Sequence, residues 1–263
     1  MNFHKHQPSE ALSPIIDKFW TLTSENDTVY SSRSYPDGCT TVMFNFGDPV
    51  YLTINNREIV QKPFTAAVYG NISKYFGFKI GGRVDILGMN FKPAGIFPFV
   101  KIPLFELTDC FTAVSDTSDV FDNRLLDSLA ECRHHTQRIM ILENFLTDTH
   151  PAQRLRELPA AYFVNRIMQM NGNLSIDQIT RQTGTSQRQL ERYFRRQVGI
   201  SPKKLCQVLR FRHVQEFLKS PQKSSLLSLA YENGYFDHAH LTKDFKQLAG
   251  VTPSYFSQHL PYY

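Results

Sequence analysis

The sequence predicts a two-part chain of mixed α and β class. The first half is β-rich, barrel- or sandwich-like, with trailing helices; the second is all-α, with two helix-turn-helix units joined by a linker helix. Three observations predict it. Short runs rich in aromatic and β-branched residues, divided by turn formers, fill the stretch from Phe19 to about Met89. After Phe121 the apolar residues recur at helical spacing. Between Ser175 and Phe256 one short unit occurs twice: Ile179, Gly184, Leu190, Phe194 and Gly199-Ile200-Ser201-Pro202 return as Leu229, Gly234, Leu241, Phe245 and Gly250-Val251-Thr252-Pro253. The offset is 50 residues up to the first glycine and 51 afterwards, so one residue is inserted in the second turn. Two copies make a duplicated motif rather than a solenoid.

The expected strands are 41–46, 50–54, 66–69, 75–80 and 85–91, punctuated by Pro36-Asp37-Gly38, Gly47-Asp48-Pro49, Asn55-Asn56 and Gly81-Gly82. Lys92-Pro93-Ala94-Gly95 ends the pattern. Leu125, Leu126, Leu129, Ile139, Leu142, Phe145 and Leu146 then mark one or two amphipathic helices, broken near His134-His135. Their apolar faces fit either the core of the chain or a dimer contact. His150-Pro151 and Leu158-Pro159 bracket a polar stretch read as a linker, which divides the chain into 1–150, 151–158 and 159–263.

In the second half, a helix-patterned segment from Leu158 to Met170 stops at Asn171-Gly172. Ser175 suits the N-cap of a helix over 176–182, and Ser186 that of a second helix running to about Val198, ended by Gly199. Proline at the first position opens the next helix at Ser201-Pro202, which continues to about Lys219. Eighteen residues give it about 27 Å, enough to hold two units on successive major-groove faces about 34 Å apart. The second unit comprises a helix over 225–233 and another that Asp237 caps, ending near Leu248.

Charge singles out the second half. Residues 1–150 carry 13 Lys+Arg against 17 Asp+Glu, whereas residues 151–263 carry 16 against 7, a net of +9 that points to a polyanionic partner for this half alone. The helix of about 186–198 concentrates this charge. Arg188, Arg192 and Arg195 share one face, Arg196 adjoins them, and Glu191 is the sole carboxylate among them. With Ser186 and Gln187 at its N-terminus it suits a recognition helix: amides hold phosphate, and guanidinium forks reach guanine edges. The helix of about 237–248 presents His238, Ala239, Thr242, Lys243 and Lys246, a less basic face.

The first half offers little catalytic chemistry. No histidine lies between His6 and His134, and His134-His135 diverge on a helix, so no metal site is expected. Phosphate-cradling glycine loops, dinucleotide fingerprints and G-x-S-x-G are absent, and no cofactor is expected. The wealth of Phe and Tyr still suits a small-molecule pocket. Four scattered cysteines, the lack of an eighteen-residue apolar run and an N-terminus without a secretory pattern lead to the expectation of a cytoplasmic protein without a membrane span.

On these motifs, residues 160–258 resemble the double helix-turn-helix domain of AraC/XylS-type transcription regulators. The resemblance rests on the paired units, on Gly199-Ile200-Ser201-Pro202, on Ala230-Tyr231-Glu232-Asn233-Gly234-Tyr235-Phe236-Asp237 leading to Phe245-Lys246, and on Gly250-Val251-Thr252-Pro253-Ser254-Tyr255-Phe256. Tyr35-Pro36-Asp37-Gly38-Cys39 and Gly88-Met89-Asn90-Phe91-Lys92-Pro93-Ala94-Gly95 are similar to the β-rich sensor domain of an uncharacterised branch of that family. The resemblance implies a non-enzymatic regulator, usually an activator. Its partners would be double-stranded promoter DNA and RNA polymerase, with effector binding or homodimerisation in the first half. By position it places base reading on Arg188, Glu191, Arg192, His238, Ala239, Thr242 and Lys243. DNA-backbone contact falls on Ser186, Gln187, Arg195, Arg196 and Lys246. The rival reading is a DNA-targeted enzyme of the repair type, for which Cys39 is the sole candidate nucleophile and Asp37 works against its thiolate.

Overall fold

The first half folds as two antiparallel sheets packed face to face. β1 (Asn2–His6), β2 (Ile16–Ser24), β3 (Tyr30–Ser34), β4 (Thr40–Asn45), β5 (Val50–Ile54), β6 (Arg57–Gln61), β7 (Thr65–Tyr69), β8 (Phe76–Ile80), β9 (Val84–Phe91) and β10 (Phe111–Ala113) follow in chain order. They pair as a six-stranded sheet, β1-β2-β9-β4-β7-β10, and a four-stranded sheet, β3-β8-β5-β6. Of the two architectures the sequence allowed, the open sandwich is the one formed; the described strands close no barrel. The computed structural model describes residues 1–25, 29–148, 151–220 and 226–259.

Burial explains the strand patterns. β4 and β9 lie inside the larger sheet and are buried along nearly their whole length, so they read as continuous apolar runs. β5 alternates, with Val50, Leu52 and Ile54 inward and Tyr51 and Thr53 outward. Asn55 and Asn56, both at positive φ, form the two-residue turn into β6. Of the strands absent from the sequence reading, β1, β3, β6 and β10 are the four sheet edges. An edge strand needs no apolar run, because much of it faces solvent; Tyr30–Ser34 is YSSRS.

Helices α1 (Asn123–Ala130) and α2 (His135–Thr147) follow, separated near His134 as expected. They pack into the chain through Leu125, Leu129, Leu142 and Leu146. Arg138, 5 % exposed, fixes α2 to the sandwich: its Nη1 donates to Asp85 at 2.6 Å, and its guanidinium lies over the Phe46 ring. The stretch expected as a linker contains a helix, α3 (Pro151–Arg156), whose Leu155 is buried. The bracketing His150 lies outside the described residues.

The second half comprises α4 (Ala161–Gln169), α5 (Ile176–Thr183), α6 (Gln187–Gln197), α7 (Pro202–Lys219), α8 (Leu226–Glu232), α9 (His238–Ala249) and α10 (Pro253–Gln258). Ser225, the expected start of α8, lies outside the described residues. The caps follow the sequence closely. Ser175, Ser186, Ser201, Asp237 and Thr252 each accept a backbone N–H at a helix N-terminus, and Gly184 and Gly250 end helices in the left-handed conformation.

α7 is the partition of this half. Leu205, Cys206 and Leu209 join one apolar cluster with Ile179, Leu190, Phe194 and Val198, while Val208, Phe211 and Val214 join another with Leu241, Phe245 and Phe256. The first cluster runs on without a break, through Leu104 and Leu107, to the face of the larger sheet turned away from the smaller one, at Val42, Leu87 and Phe91. A third lies between the two sheets.

Candidate nucleic-acid interface

α5 and α6 form the first helix-turn-helix unit. Ser186 opens α6 with a capping box, its Oγ accepting from the Gln189 N–H while Gln189 Oε1 accepts from the Ser186 N–H. Gln187 Nε2 donates to Asp177 Oδ1 at 2.5 Å and so ties the start of α6 to α5. Leu190 and Phe194 point inward, fixing the rotation of the helix. Arg188, Glu191, Arg192, Arg195 and Arg196 are all exposed on the remaining surface. Arg192 lies near the Tyr193 ring, and Arg195 stacks on Phe105 of the N-terminal half, 4.3 Å from its ring centroid.

α8 and α9 form the second unit. Asp237 Oδ1 accepts from the His240 N–H at 2.7 Å, and Leu241 and Phe245 anchor α9. His238, Ala239, Lys243 and Lys246 are exposed, whereas Thr242 is half-buried and its hydroxyl has no hydrogen-bond partner. Arg210 on α7 ties the units together: Nη1 donates to Gly172 O at 3.0 Å, and the guanidinium faces Asp244 and the Tyr235 ring. Burial pushes the Tyr235 phenol up to about 12, with Arg210 opposing.

A cavity of about 240 Å³ opens between the two sheets and α7. Its inner wall is apolar, with Leu52, Phe76, Phe78, Ile80 and Ile86. Among the described residues, its polar wall holds Lys5, Lys18, Arg33 and Lys219 against one carboxylate, Asp37. Burial, together with Lys5, lowers the Lys219 pKa. Burial opposes the charge on Lys18 too, but Asp37 and Asp17 outweigh it and raise its pKa. Asn90 organises the adjoining network, accepting from Trp20 Nε1 and Thr41 Oγ1 and donating to Asp37. The sequence signalled an aromatic pocket but not these residues, because the cations come from β1, β2, β3 and α7 and meet only in the fold.

Cys39 adjoins this wall. Burial, then Asp37, pushes its thiol well above the ordinary range, the reverse of what a nucleophile needs. Among the described residues, no group of three His, Cys, Asp or Glu side chains could hold a metal ion.

Comparison with known proteins agrees with this geometry. A family described as a helix-turn-helix domain matches residues 179–259, and a domain of unknown function, DUF6597, matches residues 4–113. An uncharacterized HTH-type transcriptional regulator of Haemophilus influenzae is 26% identical over 172 residues, 65% of this chain and 55% of that protein. The chain thus matches just over half the length of this relative. ToxT from Vibrio cholerae O395 shares the fold, with a TM-score of 0.50 at 10% identity, covering 99% of this chain and 100% of that one. A probable AraC family transcriptional regulator from Rhodopseudomonas palustris gives a TM-score of 0.33 at 23% identity over 37% of this chain and 96% of its own. With two helix-turn-helix units on one spacer helix, the chain pairs a match to the helix-turn-helix domain family over residues 179–259 with a match to DUF6597 over residues 4–113, and it is similar to an HTH-type transcriptional regulator.

Proposed function

We propose that the chain is a sequence-specific transcription activator that inserts α6 and α9 into successive major grooves of promoter DNA. The observation that carries this reading is the exposed arginine face of α6, left open beside an unbroken spacer helix. Arg188, Glu191 and Arg192 read bases in the first groove; His238, Ala239, Thr242 and Lys243 read the second. Thr242 contributes least, since its hydroxyl is buried. Ser186, Gln187, Arg195, Arg196 and Lys246 hold the DNA backbone. The protein works in the cytoplasm with RNA polymerase, as a homodimer built through its N-terminal half.

The pocket favours an acidic effector. Among the described residues, four cations against one carboxylate at the mouth of an apolar cleft suit a small acid with a hydrophobic body. The acid described in the ToxT crystal structure, (E)-4-(8-methylnaphthalen-1-yl)but-3-enoic acid, is of that class.

Arg192→Ala tests the reading of bases. It is expected to weaken specific binding by about 1–3 kcal/mol while leaving non-specific binding nearly unchanged. Arg195→Ala is expected to weaken both and to reduce the salt slope by about one. Equal loss of specific and non-specific affinity in Arg192→Ala would remove it from the base readers.

A further inference from the structure

Both recognition helices end against one part of the N-terminal half. An α-helix leaves its last carbonyls without partners of its own. At the end of α6, Asn71 Nδ2 donates to Val198 O at 2.8 Å, and Thr108 Oγ1 donates to Gly199 O at 2.8 Å. At the end of α9, the Tyr75 N–H donates to Leu248 O, again at 2.8 Å. Asn71 and Tyr75 sit on the loop between β7 and β8; Thr108 follows the short 3-10 turn Leu104–Leu107.

Asp109 ties these two segments into one strap. Its N–H donates to Asn71 O at 3.0 Å, and its Oδ1 accepts from the Ser73 N–H at 2.6 Å. The helix ends meet the strap without room for a side chain. A Cβ on Gly199, at φ +94°, would lie 2.8 Å from Leu104 O, and one on Gly250 would overlap the Tyr75 ring. Asn71 is 3 % exposed, so its amide is a buried polar group satisfied by a helix end of the other half of the chain. Burying such a group without a partner is costly, which gives its placement physical weight.

We infer that this strap, residues 71–75 with 104–109, sets the distance and angular phase between the two reading helices. It thereby determines which spacing of DNA elements the protein accepts. The inference rests on the two-groove reading above. α7 supplies about 27 Å of the roughly 34 Å between successive major-groove faces, so the remainder depends on how each unit is held at the ends of α7. One base pair is about 3.4 Å, and a loosened helix end shifts a reading head on that scale. Asn71, Thr108 and the Tyr75 amide are positioning groups in this scheme. The same loop borders the pocket through Gly70, Ile72 and Phe76.

The test uses the full chain and a pool of random-sequence DNA, taken through repeated binding and amplification. Wild type is expected to enrich two elements at one fixed separation. Asn71→Ala/Thr108→Val is expected to enrich the same elements over a spread of separations. Its preference for the wild-type spacing over one shifted by a base pair should drop roughly thirtyfold, as loss of both hydrogen bonds would give. Thr108→Val alone is nearly isosteric and is expected to give a smaller broadening, so the result does not depend on the folding of the double variant. One unchanged fixed separation in the variants overturns the inference. Enrichment of a single element by wild type overturns the two-groove reading, and the inference with it.

Discussion

Replacing Gly250 by alanine is expected to loosen the second reading unit from the N-terminal half. Gly250 closes α9 at φ +72° and ψ 0°, with its N–H donated to Lys246 O at 2.9 Å. A residue with a side chain holds that left-handed conformation at a cost of about 1–2 kcal/mol. The added methyl would also overlap the Tyr75 ring, which stacks with the Arg33 guanidinium 4.6 Å from its centroid. Moving the ring forfeits a surface cation–π contact of about 0.5–1 kcal/mol. Together these give about 1.5–3 kcal/mol, or roughly 3–12 °C in Tm for a chain of this size. Thermal melts of Gly250→Ala, Tyr75→Ala and the double variant separate the two parts. Removing the ring relieves the overlap but leaves the backbone cost, so the double variant should be more stable than the sum of the single losses by about 1 kcal/mol. Strict additivity would show that the ring is no obstacle, and a wild-type melting point for Gly250→Ala would refute the backbone argument as well.

Acid should destabilise the sandwich through His135. Burial lowers its pKa below 6.5, and Arg138, His6 and His4 act in the same direction against Asp85. A histidine whose pKa is depressed on folding binds its proton more readily when unfolded, so its contribution is full above 6.5 and is lost as pH falls through the lower folded value. Tm measured from pH 7.5 to 5 should therefore fall, with a shallower slope in His135→Gln; equal slopes would count against the assignment. Cys39→Ser should keep promoter activation in a reporter strain, whereas loss of activation with the fold intact would revive the enzyme reading. Lys219→Gln should weaken binding of a hydrophobic carboxylic acid by about tenfold, since a hydrogen bond to a charged group contributes about 1.5–3 kcal/mol; calorimetry showing unchanged affinity would move the acid group elsewhere in the pocket.

The elements most legible in the sequence are those whose local chemistry and tertiary role coincide. Ser186, Asp237 and Gly250 cap helices whatever surrounds them, and the Arg188, Arg192 and Arg195 spacing exposes one face of α6 once Leu190 and Phe194 are buried. β4, β5 and β9 declared themselves by burial. The edge strands did not, because hydrogen bonding to a single neighbour asks little of their side chains. The pocket cations escaped for a different reason: Lys5 and Lys219 lie at opposite ends of the sequence, and no spacing rule connects them. Nor could the sequence show that Asn71, beside a glycine in an ordinary loop, closes a helix more than a hundred residues away.

The unequal sharing of apolar clusters around α7 has a mechanical consequence. The first helix-turn-helix unit is welded to the sandwich, since Leu190, Phe194 and Val198 belong to the same continuous core as Val42 and Leu87. The second is moored rather than welded: its own cluster closes around Phe211, Phe245 and Phe256, and the N-terminal half meets it through the Tyr35 and Tyr75 rings. Displacing the second unit from the N-terminal half would therefore break fewer apolar contacts than displacing the first. The protein is built less like a sensor carrying a detachable pair of readers than like calipers, with one jaw cast into the frame and the other clamped to it at a single point.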